Sequence, residues 1–150
     1  GEVIAPAERL APHAFLVVPQ SFALSTADVY HEAGRLGLPR APDELARCLR
    51  DLREALTPGG QLPERLLVND LEPAALSLRP DIKTALDAVR DAGADYVMVC
   101  GSGPTVLGVY WEEDCGQRAA GATAVLSRVF PGVSAAAPAP SSHSGKIGWR

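Results

Sequence analysis

Two short stretches hold the residues whose type and spacing suit chemistry. Gly101-Ser102-Gly103-Pro104-Thr105 places two glycines around a hydroxyl. Glycine lets the backbone take turn angles closed to other residues and lets a ligand come close, so N–H groups here are candidates to meet an anion. The stretch is not a dinucleotide fingerprint, because the sixth position of GxGxxG is Val106. It is not a P-loop either, since no GKS or GKT follows and no strand-to-helix pattern surrounds it. A plain hairpin turn remains open beside the ligand reading. At Gly103 the ligand reading expects a branched side chain to force the backbone to change or to project into the cleft. The second stretch is Asn69-Asp70-Leu71-Glu72-Pro73. It reads either as a helix cap or as a polar corner holding a cleft or domain interface together. As a cap, Asp70 would put Pro73 at the third helical position, where no N–H is needed. Alternatively Asn69 would cap, with Glu72 closing a capping box.

The elements that must position these stretches follow from periodicity. Residues 14–18 (AFLVV) form an apolar run closed by Pro19 and predict a buried strand. Ser25 and Thr26 are good caps for a helix over 27–33, with Gly34 as its stop. Pro39 and Pro42 mark a loop over 37–42. Asp43 then caps a helix whose Leu45, Leu49, Leu52 and Leu56 form one apolar stripe, stopped by Thr57-Pro58-Gly59-Gly60. Leu71, Ala74, Ala75 and Leu78 repeat the pattern. After Pro80, so do Ile82, Ala85, Leu86 and Val89, up to Gly93. Residues 96–100 and 105–111 read as two strands joined by the glycine turn. A helix over 112–130, weakened by Gly116 and Gly121, leads to a last short strand at 133–137. Residues 138–150, rich in Pro, Ala, Ser and Gly, read as a flexible tail.

Adjacent strands forming a hairpin and grouped helices predict an α+β fold: a small antiparallel β-sheet with helices packed on one face. The strands are apolar on both sides, so the second face is expected to be covered by a part of the protein outside this sequence.

Composition excludes several functions. A hydrophobic fraction of 47% supports a sizeable core, and 21% charged residues is ordinary for a globular domain. A net charge of −4 without a basic run argues against nucleic acid and against an anionic membrane surface as partners. No run reaches the ~20 apolar residues of a membrane span, and no signal peptide opens the chain, so a cytoplasmic location is expected. Cys48, Cys100 and Cys115 are odd in number and lack metal-ligand spacing, which predicts small core residues in a reducing compartment and no metal site. His31 reads as a solvated helical residue.

Taken together, VNDLEPAA, Pro80-Asp81-Ile82, Gly93-Ala94 and CGSGPTVLGVY resemble, in order and spacing, the C-terminal half of the 4-diphosphocytidyl-2-C-methyl-D-erythritol kinases of the GHMP superfamily. Val18-Pro19, Leu24-Ser25-Thr26 and Val29-Tyr30 are similar to that family's first strand, hydroxyl-bearing turn and aromatic-bearing helix. The resemblance implies that residues 1–137 are the substrate-side domain. It implies that ATP and Mg²⁺ are bound mainly by an N-terminal domain, whose GLGGGSS loop and catalytic Asp and Lys are not among these residues. No cofactor is then expected on this chain alone. The implied partners are a cytidine-diphosphate-linked small molecule and the protein's own N-terminal domain. Thr26 and Tyr30 match positions lining the substrate cleft, and Gly101, Ser102 and Gly103 match the motif near phosphoryl transfer. Asn69, Asp70 and Glu72 belong to a structural motif, and no residue here is implied as the catalytic base. Ala27 stands where some members have proline, so the resemblance implies a different shape for that wall. His13, His31 and His143 match no role. Another GHMP kinase, acting on a sugar, homoserine or mevalonate, and a stand-alone binding module of the same fold remain alternatives.

Overall fold

A computed structural model describes residues 10–138; the expected tail at 138–150 lies outside them apart from Pro138. The order is β1 (His13–Val18), α1 (Thr26–Arg35), α2 (Pro42–Ala55), a 3₁₀ turn (Glu64–Leu66), α3 (Glu72–Leu78), α4 (Ile82–Asp91), β2 (Tyr96–Val99), β3 (Val106–Trp111), α5 (Cys115–Leu126) and β4 (Ser134–Ala136). The four strands make one antiparallel sheet in the order β2-β3-β1-β4, the α+β class that the sequence pattern predicts.

Strand alternation sorts the core. Ala14, Leu16 and Val18 of β1, Val97 and Val99 of β2, and Val106 and Tyr110 of β3 share one face. Ala75 of α3, Ile82, Ala85, Leu86 and Val89 of α4, and Ala119, Ala122 and Leu126 of α5 cover it. Gly108 sits at the closest approach. A Cβ there would lie 2.6 Å from Val89 Cγ1 and 3.2 Å from Ala94 Cβ, so a bare backbone lets α4 press onto β3.

The other face departs from expectation. Val109 and Trp111 are buried by this chain's own Leu10, Ala11, Leu62 and Leu67, packed with Phe15, Tyr96 and Leu107. The segment between α2 and α3 folds back over the sheet, and Phe15, Val17, Met98 and Leu107 stay only half-buried.

Several boundaries also move. Helix α1 runs past Gly34 to Arg35. The residue that takes the left-handed conformation is Gly37, at φ +68°, where glycine carries no steric penalty. Helix α2 starts at Pro42 with Ala41 as its N-cap, so Asp43 is a first-turn acid facing the helix dipole rather than the cap. The last helix is shorter than 112–130 because Glu112 sits in a turn at φ +80° and the helix unwinds after Leu126. At the far end of the sheet, Arg118 of α5 donates to Asp95 and to the Gly93 carbonyl (2.6 and 2.7 Å), while the Trp111 amide donates to Asp95 at 2.7 Å. Burial raises the Asp95 carboxyl, but these bonds outweigh it and hold the group below its ordinary range. Cys115 is buried as expected, while Cys48 and Cys100 are half-buried, and burial pushes the Cys100 thiol up. Among the described residues no helix is long and apolar enough to cross a membrane.

Candidate functional site

The turn between β2 and β3 closes with two backbone bonds: the Cys100 amide donates to the Thr105 carbonyl, and the Gly103 amide to the Cys100 carbonyl, both at 2.8 Å. Gly101 and Gly103 take φ +55° and +78°, which explains both glycines. The Gly103 N–H is therefore spent inside the turn. Among the described residues, no protein group accepts from the Gly101 or Ser102 amide. The two glycines face differently. A Cβ at Gly101 would enter open space. One at Gly103 would meet Val99 Cγ1 at 3.1 Å and Leu24 Cδ1 at 3.4 Å. Of the two outcomes expected for a branched side chain at Gly103, this geometry favours the forced backbone change, because the position has a positive φ and the side chain would press on Val99 and Leu24 rather than enter the cleft.

Helix α1 brings the other half of the site. Ser25, not Thr26, is the cap; its hydroxyl accepts from the Asp28 amide at 3.3 Å. Thr26, the first helical residue, is left to meet the turn, and its Oγ1 lies 3.0 Å from Ser102 Oγ across 76 residues of sequence. Tyr30, four residues on and so one turn along the helix, is 62% exposed. Its ring is therefore outside the core, exposed on the helix whose first residue meets the turn. His31 is exposed, as expected. Val29 and Ala33 fix the helix by packing on Ala74 of α3.

Neither predicted cap describes the Asn69–Glu72 corner. The residue at the N-cap position of α3 is Leu71, with no side-chain bond, and Pro73 lies in the first turn. Asn69 Oδ1 accepts from the Leu71 amide at 3.1 Å, a local turn. Its Nδ2 instead reaches the sheet, donating to the carbonyls of Val99 (2.7 Å) and Gly101 (2.8 Å). Glu72 closes no capping box; its Oε2 accepts from the Val99 amide at 2.7 Å. The corner thus satisfies both backbone groups of Val99 at the end of edge strand β2. Asp70 points elsewhere and pairs with Arg40.

Sequence reasoning missed two anchors. Arg40 bridges Asp70 and the Cys48 sulfur (2.9 Å). Buried Glu32 accepts from Arg35 at 2.6 and 2.7 Å and from the Ser77 hydroxyl, joining α1 to α3. The Arg35 and Ser77 bonds hold the Glu32 carboxyl down to about 2. Arg35 lies at i+3, a spacing that does signal a helical pair, but nothing in the sequence marks Ser77 or Asp70 as partners. The assembled corner offers two unengaged amides, two hydroxyls and an aromatic face, groups of a kind suited to an anionic ligand. Among the described residues no three His, Cys, Asp or Glu side chains gather to hold a metal ion.

Comparison with known proteins supplies the family. The chain is 45% identical over 96 residues to the 4-diphosphocytidyl-2-C-methyl-D-erythritol kinase of Corynebacterium efficiens, covering 62% of this chain and 28% of that protein. It is 34% identical over 145 residues to the enzyme of the same name from Paracoccus denitrificans, covering 95% of this chain and 50% of that protein. The crystal structure of a 4-(cytidine 5'-diphospho)-2C-methyl-D-erythritol kinase superposes with a TM-score of 0.58 at 25% identity, over 86% of this chain and 43% of that one. The chain therefore spans half or less of the length of these proteins. Residues 45–124 match the model described as GHMP kinases C terminal, and the chain belongs to that family.

Proposed function

We propose that this domain is the substrate-side wall of an ATP-dependent kinase that phosphorylates a hydroxyl of 4-diphosphocytidyl-2-C-methyl-D-erythritol, in the cytoplasmic non-mevalonate route to isoprenoids. The observation that carries the reading is the 3.0 Å contact between Thr26 and Ser102. It joins the helix that bears Tyr30 to the turn that bears the unengaged amides. Phosphoryl transfer needs positioning and charge stabilisation more than covalent chemistry. In this reading the Gly101 and Ser102 amides face phosphate oxygens, and Tyr30 stacks on the cytosine ring. The Thr26–Ser102 pair keeps the two at a fixed separation. The base, the ATP loop and the Mg²⁺ ligands are assigned to the other half of the protein, as the family resemblance implies.

The test is turnover by the full-length protein with ATP, Mg²⁺ and the cytidylyl substrate, followed by ³¹P NMR for a new phosphomonoester. Homoserine, mevalonate and a hexose serve as competing acceptors. Phosphorylation of one of those, with none of the cytidylyl compound, overturns the substrate assignment. The 150-residue chain alone is expected to show no turnover.

A further inference from the structure

We propose that Asn69 is a positioning residue that aims the Ser102 amide out of the turn; this rests on reading the turn as phosphate-facing. The orientation of its carboxamide is fixed by its partners. Two carbonyls, of Val99 at 2.7 Å and Gly101 at 2.8 Å, require the NH₂ end, and the Leu71 amide at 3.1 Å requires the oxygen. In a trans peptide unit the C=O and the following N–H point in opposite directions. Drawing the Val99 carbonyl to Asn69 therefore turns the Cys100 N–H away, onto the Thr105 carbonyl at 2.8 Å, which closes the hairpin. Drawing the Gly101 carbonyl to the same group turns the Ser102 N–H away as well. There no protein group among the described residues accepts from it. One side chain thus fixes two peptide planes, one for the fold and one for the ligand. The need is physical: Gly101 carries no side chain to restrict its backbone, and a Cβ at its position would meet nothing. Without the Asn69 donor, nothing else described holds its carbonyl inward. Glu72, on the Val99 amide, steadies the strand end against which the turn is set.

Asn69→Asp separates this role from a local cap. Aspartate keeps the oxygen that accepts from Leu71, so a cap role predicts near-normal behaviour. Positioning predicts the opposite, because a carboxylate would face two carbonyl oxygens. In the full-length protein, Asn69→Asp is expected to lower kcat by about 10- to 100-fold, the scale of an ~1 Å misplacement, with a smaller change in KM for the acceptor. Asn69→Ala should fall by less. Leu126→Ala, a buried core residue at the C-terminal end of α5 with no hydrogen bond to the turn, serves as the control for lost stability alone. The second readout needs no activity: in Asn69→Asp the Cys100 amide should lose hydrogen-exchange protection, and the Ser102 amide ¹⁵N shift should move. Wild-type kcat and intact Cys100 protection in Asn69→Asp would overturn the proposal. So would activity lost only in proportion to folded protein, as in Leu126→Ala. If the wild-type protein phosphorylates nothing, the functional reading fails, while the Cys100 and Ser102 signals still decide the positioning role.

Discussion

Helices α2 and α4 carry the same apolar repeat and end in different surroundings. In α4, Ile82, Ala85, Leu86 and Val89 are all buried against the sheet. In α2 no residue is buried; Leu45 and Leu49 are 51% and 47% exposed, and Leu52 and Leu56 only half-buried. The difference lies in the connections. Helix α4 passes through Gly93 directly into β2, so a short link lays its apolar face across β2 and β3. Helix α2 is separated from the sheet by loops on both sides, and its packed neighbour is the 3₁₀ turn. A helical period therefore says which face is apolar, while the chain connections decide whether anything covers it.

The sharpest test of that contrast is a pair of truncations. Ile82→Ala empties a fully buried site and is expected to cost about 2–5 kcal/mol. Leu49→Ala, on the uncovered stripe, should cost about 0.5 kcal/mol or less. Urea unfolding of both variants gives the two values on one scale. Equal losses would mean that the α2 stripe is buried in solution.

The same division governs what was legible in the sequence. The β2–β3 hairpin, the α4 face and the glycine turn were readable because their signals are local: alternation, a helical repeat, and backbone angles that only glycine takes cheaply. The Asn69–Glu72 corner reads in the sequence either as a helix cap or as a polar corner, and neither reading names its partners Val99 and Gly101, which lie 27–32 residues away. No spacing rule reaches that far. Thr26 and Ser102 were both named from the resemblance, yet their contact follows only from the packing of α1 on α3. The cover over the second sheet face was missed for a similar reason. Leu62 and Leu67 stand in a Pro- and Gly-flanked stretch with no periodicity to reveal a packed segment.

The seam between α1 and α3 is an intermediate case, held partly by polar groups, and acid should loosen it before it loosens α4. Glu32 has a folded pKa of about 2 against an ordinary 4.5. The folded state therefore binds fewer protons than the unfolded chain across that window. Its contribution is complete above about pH 4.5 and is lost as pH falls toward 2. Glu32→Gln keeps the shape and removes the charge. Melting temperature against pH should show a constant gap between wild type and variant above pH ~5, narrowing below it. Parallel curves down to pH ~2 would mean that the Arg35 and Ser77 bonds do not persist in solution.

The smallest effect is expected where α2 is tied down. With little apolar burial, its link to the rest of the molecule at the Asn69–Glu72 corner runs through Arg40, which reaches the Cys48 sulfur on α2 with one nitrogen and Asp70 with another. Arg40 is mostly buried while Asp70 is 43% exposed, so water weakens the pair. Arg40→Met keeps most of the apolar stem and removes both contacts together with the 3.8 Å pair to Glu44 on α2. Global stability should fall by less than about 1 kcal/mol, the usual range for a solvent-exposed ion pair. The local consequence should be larger than the global one. A helix held by a bracket rather than by a core opens on its own, so α2 amides should exchange faster in Arg40→Met while α4 amides keep wild-type protection. Faster exchange in both helices would show that Arg40 supports the whole domain. Unchanged exchange in α2 would show that its leucine stripe holds it without the bracket, and the contrast between the two helices would then be one of degree.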